Sequence, residues 1–216
     1  MSDAVPVARS PITPAPPEVV VAGWVVSGCD SDAAFTLTDC TPLAKVAVRA
    51  SADGQLARTL GVPFGRAARQ VWDLGTSETE VLLVGSGPGQ WLALASPGAQ
   101  AELVGRLERT AAARPAEMVS VVDLTHGRAV VRITGVRSAD LLAKECGIDL
   151  ADQICPDGTA FSCAVAGLAC DVIRDDRMGV RSYLVHCERS SGQYLFDALL
   201  DAGAEFGVET AGWWSS

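Results

Sequence analysis

The sequence predicts an α+β fold made of two copies of one β-α-β-β-β-α unit, and three observations lead to it. Short runs of alternating apolar residues occur in the same order, relative to helical stretches, in each half of the 216-residue chain. Those helical stretches are bounded by Ser, Asp, Gly and Pro, as helix ends require. Finally, SAD followed by LARTLGV (51–53, 56–62) returns as SAD followed by LAKECGI (138–140, 142–148), an offset of 86–87 that indicates internal duplication.

Taken in order, residues 1–18 hold five of the eleven prolines and no periodic apolar pattern, so they are expected to form an extended arm. Such an arm buries little apolar area, and its deletion is expected to change stability little. LAKVAVR (43–49) reads as a strand and SADGQLARTLG (51–61) as a helix capped by Ser51 or Asp53. RQVWDL (69–74), EVLLV (80–84) and WLALA (91–95) read as strands, followed by a helix over 96–113 with Ser96 as N-cap and Pro97 at its first position.

The second unit follows VSVVDLT (119–125). Its strand GRAVVRITG (127–135) precedes a helix over 138–147, and three strands follow at FSCAVAG (161–167), LACDVIR (168–174) and RSYLVHC (181–187). A closing helix over 190–206 aligns Tyr194, Ala198, Ala202 and Phe206 in one row, with Ser190 or Ser191 as its cap. The half-repeats thus run about 43–113 and 128–206 inside a domain of 19–207, with a tail at 208–216 that carries Trp213 and Trp214.

Composition narrows the function. With 49% apolar residues the chain has material for a real core. A net charge of −9 and a pI near 4.7 argue against nucleic acid or an anionic membrane as the main partner. VVVAGWVV (19–26) is too short to span a bilayer and lacks the flanks of a secretory signal. Seven cysteines without framework spacing point to a reducing, cytoplasmic setting.

Four residues stand out as candidates for acid–base chemistry. Asp123 and His126 lie in DLTHG, either as an Asp–His couple or as an Asx-type turn before Gly127. His186 and Glu188 lie in HCERSSGQY, either as an acid–base pair at a pocket mouth or as a solvated strand end. Cys163 and Cys170 flank a turn at Ala166–Gly167 and are expected to face each other across a hairpin as core residues. GSGPGQ (85–90) joins two strands and reads as a hairpin loop, not a phosphate cradle. No zinc-type ligand spacing occurs, so no metal is expected. The terminal tryptophans either dock on their own domain, anchor a subunit interface or cover an aromatic ligand.

VVDLTHGRAVVRITG, LLAKECGIDL and RSSGQYLFDALLDAGAEFG, in that order, resemble the gamma subunit of heterotetrameric sarcosine oxidase. That family lies within the superfamily of the glycine cleavage T-protein, an aminomethyltransferase. The resemblance runs from about Phe35 to Gly207 and includes GPGQWLALA (87–95). The resemblance does not place the tail VETAGWWSS. The resemblance implies a T-protein-like fold, a link to tetrahydrofolate, and larger flavin- and folate-binding subunits as partners. In T-protein relatives the strand before the last helix of this unit ends in Asn-Ala, and seven residues on comes an aspartate that assists aminomethyl transfer. Here those positions are His186, Cys187 and Gln193. An amide accepts no proton near neutral pH, so the resemblance implies a non-catalytic subunit of an oxidase that demethylates sarcosine-type amines. The alternative is a stand-alone enzyme acting on an amine and an aldehyde through an iminium. It would perform Pictet-Spengler-type cyclisation or one-carbon transfer, with Asp123, His126, His186 and Glu188 as its acids and bases.

Overall fold

The structure is a computed structural model that describes residues 7–75 and 77–213. The first strands, β1 (Ala8–Arg9), β2 (Glu18–Val21) and β3 (Trp24–Ser27), form a small sheet in the order β1-β3-β2. Ala22 and Gly23, both at positive φ, make the tight turn between β2 and β3. Next come β4 (Thr36–Asp39) and the first unit: β5 (Ala44–Arg49), α1 (Gln55–Leu60), β6 (Ala67–Asp73), β7 (Glu78–Gly87), β8 (Gln90–Ala95) and α2 (Gln100–Ala112). After β9 (Ser120–Asp123) the second unit repeats it as β10 (Arg128–Thr134), α3 (Ser138–Glu145), β11 (Ala160–Val165), β12 (Leu168–Arg174), β13 (Ser182–Glu188) and α4 (Gly192–Gly203). β14 (Glu209–Ala211) follows.

Both units adopt the same strand order. One sheet reads β6-β7-β8-β5-β9 and the other β11-β12-β13-β10-β4-β14, so each unit arranges its four strands second, third, fourth, first. The flanking strands are exchanged. β4 precedes the first unit yet pairs with β10 of the second, while β9 precedes the second and pairs with β5 of the first.

A repeated Asp-x-Thr triplet, at 39–41 and 123–125, makes this exchange specific. Each aspartate accepts a hydrogen bond from its own threonine N–H (2.9 Å at Asp39, 2.8 Å at Asp123). Each threonine hydroxyl then accepts from the other unit's first strand, Thr41 from Val130 N–H and Thr125 from Lys45 N–H, both at 3.1 Å. The turns before β6 and β11, Pro63-Phe64-Gly65 and Pro156-Asp157-Gly158, pair reciprocally in the same manner. Ala67 N–H donates to Gly158 and Ala160 N–H to Gly65.

The two sheets stack face to face with helices outside. Val81, Leu83, Trp91 and Ala93 face α1 and α2, whereas Leu82, Val84, Leu92 and Leu94 alternate with them and face the second sheet. In that sheet Ala129, Val131 and Ile133 face α3 and α4, and Val130 faces inward. No helix among the described residues is long and apolar enough to cross a membrane.

Several local expectations are corrected. The first helix begins at Gln55, because Ser51 bonds Asp53 instead of capping, and Glu117 accepts from Leu56 N–H in its place. Ser96-Pro97-Gly98-Ala99 closes a turn, with Ala99 N–H on the Ser96 carbonyl, so the second helix begins at Gln100 without a side-chain cap. Glu188, rather than a serine, caps the 3₁₀ turn that leads into α4.

The proline-rich arm also differs from expectation. Its described residues, 7–18, fold back on the domain, where Ile12, 1% exposed, enters the core in one cluster with Ala129 and Leu195. At Gly192 a β-carbon would stand 2.6 Å from the Ala129 side chain and 2.7 Å from Pro11, so only glycine lets the arm approach α4 this closely. Cys163 and Cys170 are cross-strand partners, as the hairpin predicts, and both thiols are free.

Candidate functional site

Polar residues at inward-facing strand positions define the site. Arg132 interrupts the apolar run of β10, and Arg69 occupies the edge strand β6; both reach Asp175 just beyond β12. Asp175 is 5% exposed and receives Arg69 Nε at 2.9 Å and Nη2 at 2.6 Å, a two-pronged contact. Arg132 Nη2 approaches the same carboxylate at 2.7 Å, while its Nη1 donates to Ser182 Oγ at 2.8 Å. Burial alone would raise the Asp175 pKa. Arg132 and then Arg69 outweigh it and keep the carboxyl below its ordinary value.

Beside this cluster lies a cavity of about 310 Å³ between the two sheets. Its apolar walls come from Leu43, Leu82, Leu94 and Leu184, and its polar wall from Arg69, Glu80, Arg132 and Arg177. The β2–β3 turn and Trp213 close over it. Trp213 N–H donates to the Ser27 carbonyl at 3.0 Å, so this tryptophan docks on its own domain; Trp214 lies outside the described residues. Glu80 is engaged by Arg69 and lies 3.7 Å from Arg177.

A second inward-facing group holds Lys45 and His186. Lys45 is fully buried, and its Nζ donates to the carbonyls of Thr41 (2.6 Å) and Leu43 (2.7 Å). Burial pulls its pKa down to about 7, with Asp39 and Asp123 opposing. His186 is 5% exposed, so it is not a solvated strand end. Neither ring nitrogen has a hydrogen-bond partner, and Nε2 stands 3.4 Å from Asp171 Oδ2.

Burial lowers the His186 pKa to about 4 against the opposing pull of Asp171. Its ring proton titration by NMR is therefore expected to show a midpoint near pH 4. The unfolded chain takes up this proton at its ordinary value of 6.5 and the folded chain does not, so His186 should remove stability as pH falls from about 6.5 to 4. A midpoint near 6.5 would contradict the burial.

The four sequence candidates do not form one catalytic group, and none of them lines the cavity. The DLTHG turn and the end of β13 are neighbours, since Arg189 N–H donates to Gly127 and Arg128 pairs with Glu188. Asp123 is spent on the Asx turn that its counterpart Asp39 also makes. His126 is exposed and stacks on Trp24, ring centres 4.8 Å apart. Glu188 is exposed and binds the N–H of Ser190 at 2.9 Å. Among the described residues no three His, Cys, Asp or Glu side chains converge as a metal site.

The residues after β13 clasp the arm. Arg189 Nη2 donates to the Arg9 carbonyl at 2.6 Å. Gln193 Oε1 accepts from Thr13 N–H at 2.7 Å, and its Nε2 donates to Asp197 at 2.8 Å. Sequence reasoning missed Arg69, Arg132, Arg177 and Asp175. The available signal was an arginine inside AVVRIT, where every neighbouring position is apolar or β-branched.

Residues 66–215 match the GCVT N-terminal domain family. A chain of heterotetrameric sarcosine oxidase from Corynebacterium sp. U-96, in complex with pyrrole 2-carboxylate, has a similar structure. The TM-score is 0.63 at 22% identity, with 81% of this chain and 86% of that chain covered. The glycine cleavage system aminomethyltransferase T from Bartonella henselae is also similar, with a TM-score of 0.71 at 15% identity. There 90% of this chain covers 55% of that chain, so this chain spans about half its length. At these identities the likeness is one of fold. None of the curated proteins matches the sequence.

Proposed function

This chain belongs to the GCVT N-terminal domain family, and on that premise we propose that it is a non-catalytic, sarcosine-oxidase-gamma-like subunit. In this reading it associates in the cytoplasm with larger flavin- and folate-binding subunits that demethylate sarcosine-type amines. One observation carries the proposal. Gln193, at the position where T-protein relatives place their aspartate, is committed by both ends of its amide to Thr13 and Asp197. A group so engaged, and without a titratable proton, offers no general base. Coverage of 86% of a chain from a heterotetrameric oxidase supports the same reading.

The superfamily is one of folate-binding-type domains, but the cavity of this chain fits tetrahydrofolate poorly. The adjacent N–H donors of a pterin edge suit a free carboxylate. Glu80, the one carboxylate lining the cavity among the described residues, is already held by Arg69. We therefore assign folate to the larger partners, and no step of the chemistry to this chain.

Co-expression with large flavoprotein subunits tests the proposal. The expected result is a stoichiometric complex that oxidises sarcosine, together with an isolated chain that yields no product from amine and aldehyde, before or after Gln193→Asp. Product formed by the isolated chain would overturn the reading in favour of stand-alone iminium chemistry.

A further inference from the structure

Arg177 lines the cavity and makes no side-chain hydrogen bond among the described residues. Its nearest carboxylates, Glu80 at 3.7 Å and Asp175 at 3.8 Å, are both beyond hydrogen-bond distance. Both acids are already engaged, Asp175 by Arg69 and Arg132 and Glu80 by Arg69. Three guanidiniums thus share two carboxylates in a partly enclosed site. Burial, and then repulsion from Arg69 and Arg132, lower the Arg177 pKa, so an anion beside it would relieve an existing strain of like charges.

The remaining lining narrows the anion to one class. Leu82 and Leu94 of one sheet face Leu184 of the other across the cavity, Leu43 adds to these apolar walls, and Trp213 offers an aromatic surface beside them. A bare inorganic anion would leave those walls without a partner. A cationic amine would meet three arginines. At about 310 Å³ the volume lies near the lower end of the roughly 300–1,000 Å³ of small-molecule sites. We propose that this cavity binds a small carboxylate with a flat apolar or aromatic body, its carboxylate received by Arg177 and its ring held between the leucine walls against Trp213.

The inference concerns the isolated chain and does not rest on its role as a subunit. Calorimetric titration of the full-length protein with indole-3-acetate tests it, with tryptamine and 3-methylindole as probes that replace or remove the carboxylate. Indole-3-acetate is expected to bind saturably at one site, with both other probes at least tenfold weaker. Arg177→Gln should weaken indole-3-acetate tenfold or more, while the melting temperature stays within about 2 °C because the side chain makes no short contact. Absence of saturable binding, equal affinity for tryptamine, or unchanged affinity in Arg177→Gln would each overturn the proposal. Failure of the flavoprotein co-expression would leave these outcomes untouched.

Discussion

Asp175→Ala is expected to lower the melting temperature by roughly 10 °C. The substitution leaves Arg132, 6% exposed, and the half-buried Arg69 without the carboxylate that both share. Removing one partner of a buried ionic group costs about 3–5 kcal/mol, because the remaining charge is stranded away from water. In a domain of this size each kcal/mol shifts the midpoint by about 2–4 °C. The double variant Asp175→Leu with Arg132→Met should recover part of the loss, since it strands one charge fewer. The same carboxylate makes stability depend on acid. Its folded pKa lies below the ordinary value of 3.8, so its contribution is complete above that pH and disappears as pH falls through the folded value. Thermal melts followed by circular dichroism at neutral and strongly acidic pH measure both effects. A loss under about 1 kcal/mol at pH 7 would show that the cluster is not the ionic keystone of the sheet interface.

Ile12→Ala is expected to destabilise the protein by about 2–4 kcal/mol, in line with other truncations of fully buried aliphatic side chains. Ile12 lies between β10 and α4, in contact with the same cluster as Ala129 and Leu195, and the bonds from Gln193 and Arg189 pin the chain on either side of it. Deleting residues 1–13 should cost at least as much, whereas Ile12→Val should cost about 1 kcal/mol. Urea denaturation midpoints with an unchanged slope provide the measurement. A deletion that left the midpoint in place would restore the picture of a dispensable arm.

The arm shows why composition alone misleads here. Five prolines remove helix and strand periodicity, the only local evidence of burial that a sequence carries, yet one isoleucine among them fills a slot between two other elements. The same limit applied to the candidate site. His186 and Glu188 are two residues apart and on one side of β13, yet His186 is buried and Glu188, the last residue of the strand, stands in water. No property of the two side chains distinguishes them in advance.

By itself the sequence determined the units. Short apolar, β-branched runs such as AVVRIT and VLLV, the turn at Ala166–Gly167, and the repeated SAD segments are short-range signals, written by the residues that obey them. They suffice for two β-α-β-β-β-α copies in an α+β fold. Only the tertiary structure decided that β4 and β9 change places, because that choice rests on Thr41 reaching Val130, 89 residues away, and Thr125 reaching Lys45, 80 residues away, each about one whole repeat. It also decided the site. Arg69 and Asp175 are 106 residues apart, and an arginine on an inward strand face finds its carboxylate only when the two sheets are laid on one another. A strand buried on both faces carries no local mark of which side will meet a charge.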